Sequence, residues 1–146
     1  MIQDSDAAKA NYGNVADHPE RIDINFGGDT LDNVAGKKDA AKGKGPGGFA
    51  GKGAFGVPES DWTHFNSLAY HAELDQVMIS VHGFSEIWII DHSTTKAQAA
   101  GRAGGKYGKG GDVLYRWGNP QAYRAGKSVD QQFFGQHNAQ TATSSR

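Results

Sequence analysis

The chain has 146 residues, enough for one domain, but only 37% are hydrophobic and 21 are glycine, which excludes a large core built from this chain alone. Fifteen basic against sixteen acidic side chains give a formal charge of −1, which removes the general electrostatic case for nucleic acid or an anionic membrane as partner. There is no cysteine, hence no disulfide framework and no thiolate metal site.

The N-terminus, Met1-Ile2-Gln3-Asp4-Ser5-Asp6, is acidic and lacks the basic and apolar regions of a secretory leader, and no apolar run approaches membrane-spanning length. The expectation is a soluble chain that is not exported by its own leader. The alternation in Ile22-Asp23-Ile24-Asn25-Phe26 predicts one short strand before Gly27-Gly28. From Lys37 to Gly56 the composition shifts to Gly, Lys and Ala, with seven glycines in the fourteen residues from Gly43. Ordering such a backbone costs much entropy and little side-chain burial offsets it, so this reads as a flexible surface loop. Gly43 to Gly48 and Gly51 to Gly56 both match G-x-G-x-x-G, but neither follows a buried strand nor opens a helix, and no Walker A spacing is present.

The apolar residues concentrate between 62 and 90, with a weaker patch from 113 to 134, so the core must come from these two regions. Ser67 to His71 reads as a strand, Ala72 to Asp75 as a turn, Val77 to His82 as a second strand, and Glu86 to Asp91, after a turn at Gly83-Phe84, as a third. A second glycine-rich loop holds six glycines in the eleven residues from Gly101 to Gly111. Asp112 to Trp117 then reads as a fourth strand, stopped by Gly118-Asn119-Pro120. Four short antiparallel strands are what one β-propeller blade contains, and a lone blade has two faces that need neighbours. The tail from Gln121 onwards is polar apart from Phe133-Phe134 and reads as frayed.

The histidines form neither H-E-x-x-H nor a helical metal face, and no metal site is expected. For each one taken alone, the plain reading is a hydrogen-bonded or surface imidazole. Strand alternation would put Val77, Ile79 and Val81 on one face and Met78, Ser80 and His82 on the other. In a propeller, strand ends and loops face the central channel, so His64, His82 and His137 could converge there on one anionic group, which would suit nucleophilic transfer of a charged group. Arg116 and Arg124 flank Trp117-Gly118-Asn119-Pro120 and have the guanidinium fork that fits sulfate or phosphate, the plain alternative being a solvated strand-edge arginine. Trp62, Trp88 and Trp117 could stack on an aromatic ligand, although core tryptophans are commoner in sheets.

Asp61-Trp62-Thr63-His64-Phe65-Asn66-Ser67, Ile79-Ser80-Val81-His82, Glu86 to Asp91, Tyr115 to Pro120 and Gly135-Gln136-His137 together resemble the bacterial arylsulfotransferases, the PAPS-independent aryl-sulfate sulfotransferases. The resemblance runs from about Asp61 to His137. It implies an all-β fold, a six-bladed propeller, that moves a sulfuryl group from an aryl sulfate to a phenol through a sulfohistidine. It further implies no cofactor, and small-molecule aryl sulfate and phenol as partners in place of nucleic acid or membrane. By the same resemblance His137 is similar to the nucleophile, His64 to the histidine that steadies the sulfuryl oxygens, and Asn66, His82 and Arg116 to sulfate contacts; His71 is left as structural.

Two departures shape the expectation. His82 stands where the family places an anion-binding arginine, and His18 does not match the motif of the family's further histidine, which belongs to an earlier blade. Past Ala139 the resemblance lapses. The organisation expected is a polar segment over 1–60, a blade region over 61–138 and an unstructured tail over 139–146, together a partial piece of the enzyme that is inactive alone. For the full-length family, periplasmic or secreted placement and homo-oligomers are the corresponding expectations. The rival readings are a non-enzymatic propeller fragment serving as a binding module, and a remnant without function.

Overall fold

The computed structural model describes residues 13–23, 26, 61 and 63–141. The glycine- and lysine-rich stretch over 37–56, Trp62, and the middle of the strand expected at 22–26 lie outside the described residues. The fold is all-β: a four-stranded antiparallel sheet in the order β1-β2-β3-β4, comprising β1 (Phe65–His71), β2 (Gln76–Val81), β3 (Glu86–Asp91) and β4 (Tyr115–Trp117). Consecutive strands are neighbours, β1–β2 and β2–β3 through short turns and β3–β4 through a longer connection, and the sheet is open, with β1 and β4 at its edges.

The β2–β3 ladder is regular from Gln76↔Asp91 to Val81↔Glu86, which stacks Val77, Ile79 and Val81 against Ile90, Trp88 and Glu86 on one face. That face is the core. Val81, Phe84, Trp88, Val113, Ala122 and Ile22 are buried together, with Phe26, Ile79 and Tyr123 packed against them. Phe84 and Val81 are fully enclosed, each contributing on the order of 1.5–3 kcal/mol of burial. The N-terminal segment reaches this core because the Val113 amide donates to the Glu20 carbonyl at 2.8 Å.

Three elements differ from the sequence expectation. Strand β2 ends at Val81, and His82–Phe84 form a single 3₁₀ turn closed by Ser85 in the left-handed region (φ 53°). The fourth strand keeps only Tyr115–Trp117 of the stretch expected from Asp112, since Val113 bonds to the N-terminal segment. The glycine-rich stretch from 101 to 111 is built as linked turns behind a short helix α1 (Lys96–Ala99). Thr95 caps α1: its hydroxyl accepts from the Gln98 amide and its own amide donates to the Gln98 side chain. Tight approach explains two glycines here, because a Cβ on Gly105 (φ +73°) would strike the Asp91 carboxylate and one on Gly111 the Ala99 carbonyl.

The segment after β4 is held against the sheet at successive points. The Gln132 amide donates to the Gly118 carbonyl at 2.6 Å, the Gly135 amide to Ser85 Oγ at 2.9 Å, and Asn66 Nδ2 to the Gln136 carbonyl at 2.7 Å. Trp117 and Phe133 pack edge to face at 4.6 Å between ring centroids. This part of the chain is therefore pinned from Gln132 to Ala139, where the sequence reads as frayed.

Candidate functional site

Three segments far apart in sequence bring His64, His82 and His137 together. Ring centroids are 4.8 Å apart for His64 and His82, 5.1 Å for His82 and His137, and 6.0 Å for His64 and His137. The first pair is fixed by backbone: the His82 amide donates to the His64 carbonyl at 3.1 Å and the Gly83 amide to the Thr63 carbonyl at 3.0 Å. His64 takes φ 45°, and the β1–β2 register shifts beside it, between Phe65 and Ser67. A histidine tolerates the left-handed region better than most residues, and here it turns the chain just before β1 begins. His137 sits between two further left-handed positions, Gly135 (φ 64°) and Asn138 (φ 57°).

Hydrogen bonds orient the rings of His64 and His137. His64 Nδ1 lies 2.5 Å from Asp61 Oδ2, and His137 Nδ1 lies 3.2 Å from the Gly135 carbonyl oxygen. A carboxylate and a carbonyl only accept, so Nδ1 is the donor in both, which leaves each Nε2 as the ring atom turned to the rest of the cluster. His82 is buried and closes the inner side of the group, while His137 is exposed at its mouth. An exposed Nε2 beside two other imidazoles is an arrangement that, as the neutral ring, can attack an electrophile and share the charge that develops. Among the described residues, no three or more His, Cys, Asp or Glu side chains are arranged to hold a metal ion.

The other residues singled out by sequence fall elsewhere. Arg116 is buried and its guanidinium is engaged within the fold. Nε and Nη2 donate to Glu86 Oε2 at 3.0 and 2.6 Å, and Nη1 donates to the carbonyls of Arg21 and Pro19 at 2.8 and 3.3 Å. Its cation also faces the rings of Tyr123 (4.7 Å) and Trp88 (5.5 Å). It borders a separate cavity of about 310 Å³, shared with Glu20, Lys109 and Tyr123, that none of the three histidines lines. Burial pushes the Glu86 carboxyl above its ordinary range, outweighing the Arg116 charge and the hydrogen bonds from Arg116 and Trp88.

Asn66 lies next to the cluster, yet it gives an N–H of its amide to the Gln136 carbonyl, and its enclosed Oδ1 meets no donor among the described residues. His71 stays apart, its Nδ1 accepting from the Leu74 amide at 3.4 Å in the β1–β2 turn. Arg124 is exposed, 3.9 Å from Asp23. Trp88 is a core residue and Trp117 is half exposed against Phe133. Sequence reasoning missed Asp61, Gln136 and Glu86. The first two were visible as neighbours of the chosen histidines, one at i−3 and one at i−1, whereas Glu86 carried only the oddity of a carboxylate opening an apolar strand.

Comparison of the chain with models of known protein families, with curated proteins and with solved structures finds no match in any of the three.

Proposed function

We propose that the His64–His82–His137 cluster is a sulfuryl-transfer site of the arylsulfotransferase kind, carried on a sheet that is one blade of a propeller. The observation that supports this is the convergence of three imidazoles from separate segments, with the His137 ring exposed and its Nδ1 engaged by the Gly135 carbonyl. In the reaction, the lone pair of His137 Nε2 attacks the sulfur of an aryl sulfate. The N–S bond forms as the S–O(aryl) bond breaks, and the phenolate leaves with the bonding pair. A second phenol then attacks sulfur, losing its proton to water, and the N–S bond breaks to return the imidazole. His64 and His82, when protonated, offset negative charge on the sulfuryl oxygens.

The blade reading is supported by the meander order and by apolar residues left open on both faces. Leu68, beside Ile79, is 68% exposed on one face, and Trp117, beside Ile87, is 46% exposed on the other. A neighbouring sheet on each side would cover them.

The test is to incubate the protein with 4-nitrophenyl sulfate, quench, and map the sulfuryl group by peptide mass spectrometry. The expected outcome is a labile label on His137 that is absent in His137→Ala, with negligible sustained transfer to phenol, since the cluster stands open to solvent. No label on the native chain, or a label unchanged in His137→Ala, would remove His137 from the mechanism. Robust turnover abolished by His137→Ala would instead make this a complete active site.

A further inference from the structure

We propose that Gln136 is the positioning residue of the histidine cluster, a clamp that sets where the ring of His137 stands relative to His64 and His82. Its catalytic meaning rests on the sulfuryl-transfer reading above, but its geometric content does not.

His137 has only a local hold of its own, the bond from Nδ1 to the Gly135 carbonyl two residues back. That bond orients the ring within its turn and does nothing to place the turn on the sheet. That placement comes from the Gly135 amide on Ser85 Oγ and, at the strand ends beside the rings, from Gln136. Its Nε2 donates to the Glu86 carbonyl at 2.7 Å, with the Val81 carbonyl and Ser80 Oγ each at 3.4 Å. Its own carbonyl accepts from Asn66 Nδ2 at 2.7 Å and lies 3.5 Å from Ser80 Oγ.

Val81 and Glu86 face each other at the end of the β2–β3 ladder, so the carboxamide bridges the hairpin where the His82–Phe84 turn leaves it. Val81 precedes His82, Asn66 follows His64 by two residues, and Gln136 precedes His137. One residue is thus tied to a near neighbour of every ring in the cluster.

The chemistry of the position favours glutamine. Backbone carbonyls need an N–H donor, which methionine of the same length lacks. A glutamate would set a charge against those carbonyls, and an asparagine is one methylene short. The position carries a cost that an apolar side chain would avoid, because among the described residues no donor reaches the buried Oε1.

The experiment uses the full chain with isotope-labelled histidine and glutamine in solution NMR. In the native protein, ring-to-ring NOEs are expected to connect His137 with His64 and His82, and the Gln136 carboxamide protons are expected to exchange with water at least tenfold more slowly than those of the exposed Gln132 and Gln140. In Gln136→Met and Gln136→Ala, the His137 cross-peaks are expected to vanish while the His64–His82 cross-peak and the amide spectrum of the four strands persist. Retention of the His137 cross-peaks in either variant overturns the proposal, as does a Gln136 carboxamide that exchanges as fast as an exposed one, a measurement that needs no variant to fold. Because none of these readouts involves turnover, they fail or succeed independently of sulfuryl transfer.

Discussion

His82 hands its backbone amide to the carbonyl of His64, and the two imidazoles stand 4.8 Å apart, so main-chain bonding sets the spacing of the inner pair of the cluster. Substituting either ring should therefore leave the other in place. On the sulfuryl-transfer proposal His82 faces the bound anion, and a guanidinium would offer it a fixed charge and a forked pair of donors in place of one imidazole N–H. Sulfate affinity, measured by calorimetry, is expected to rise by roughly tenfold in His82→Arg for one added charge-assisted contact. Unchanged affinity in the variant would take His82 out of anion binding.

The Glu86–Arg116 pair is enclosed, with side chains 0% and 3% exposed. Arg116→Met strands a buried carboxylate and is expected to cost about 3–5 kcal/mol in urea denaturation, whereas Arg116→Met combined with Glu86→Leu should cost less than the single change. The folded Glu86 carboxyl is raised above its ordinary 4.5, so stability from this group is fully present below 4.5 and is lost as pH rises through the folded value. The deficit of Arg116→Met should accordingly shrink on acidification. A deficit independent of pH would mean that the lost packing against Tyr123 and Trp88 dominates.

Asp91 gives the opposite sign. Burial pushes its carboxyl up, but donation from the Ser93 hydroxyl, the Tyr107 amide and the Ser93 amide, with the charge of Lys106, outweighs that and leaves it below its ordinary 3.8. A depressed acid stabilises the fold above its unfolded value and loses that contribution as pH falls through the folded one. Below about pH 4 the native chain should lose stability more steeply than Asp91→Asn, and parallel denaturation midpoints for the two would refute the assignment.

Gly118 has φ +129°, and a Cβ there would run into the Ser85 carbonyl and the Phe133 ring. Its carbonyl also accepts the Gln132 amide. Gly118→Ala combines an unfavourable backbone conformation with a clash against main chain, and a loss of roughly 1–3 kcal/mol is expected by thermal or chemical denaturation. No loss would mean that the turn relaxes freely and does not fix the start of the returning segment.

The strands themselves were legible. Glu86 to Asp91 is bounded by a turn on each side and rich in β-branched and aromatic residues, and β3 keeps those bounds. The alternation of Val77, Ile79 and Val81 pointed to the core face because the period-2 pattern reflects burial directly. His82 continues that alternation by letter alone. Its diversion into a turn depends on main-chain bonds to Thr63 and His64, which no local pattern encodes. Arg116 reads as an edge arginine because its partner lies thirty positions away and only the β3–β4 pairing puts both on one face. The run from Gln131 to Gln136, polar apart from Phe133-Phe134, reads as frayed because its order comes mainly from hydrogen bonds to strand ends and loops, with one ring contact, Phe133 on Trp117, behind it. The meeting of His64, His82 and His137 was anticipated from strand-end placement; Asp61 and Gln136, which orient and anchor that group, were not.

Because two rings belong to one rigid corner and the third arrives on a returning segment, the cluster is only whole while that segment is docked. Whatever binds among the rings is then thermodynamically linked to docking. Each factor by which a ligand prefers the closed arrangement appears equally as reluctance of Gly135 to Asn138 to lift away. The hydrogen bonds that aim the outermost imidazole are also those that hold its segment to the sheet, so weakening any of them weakens both.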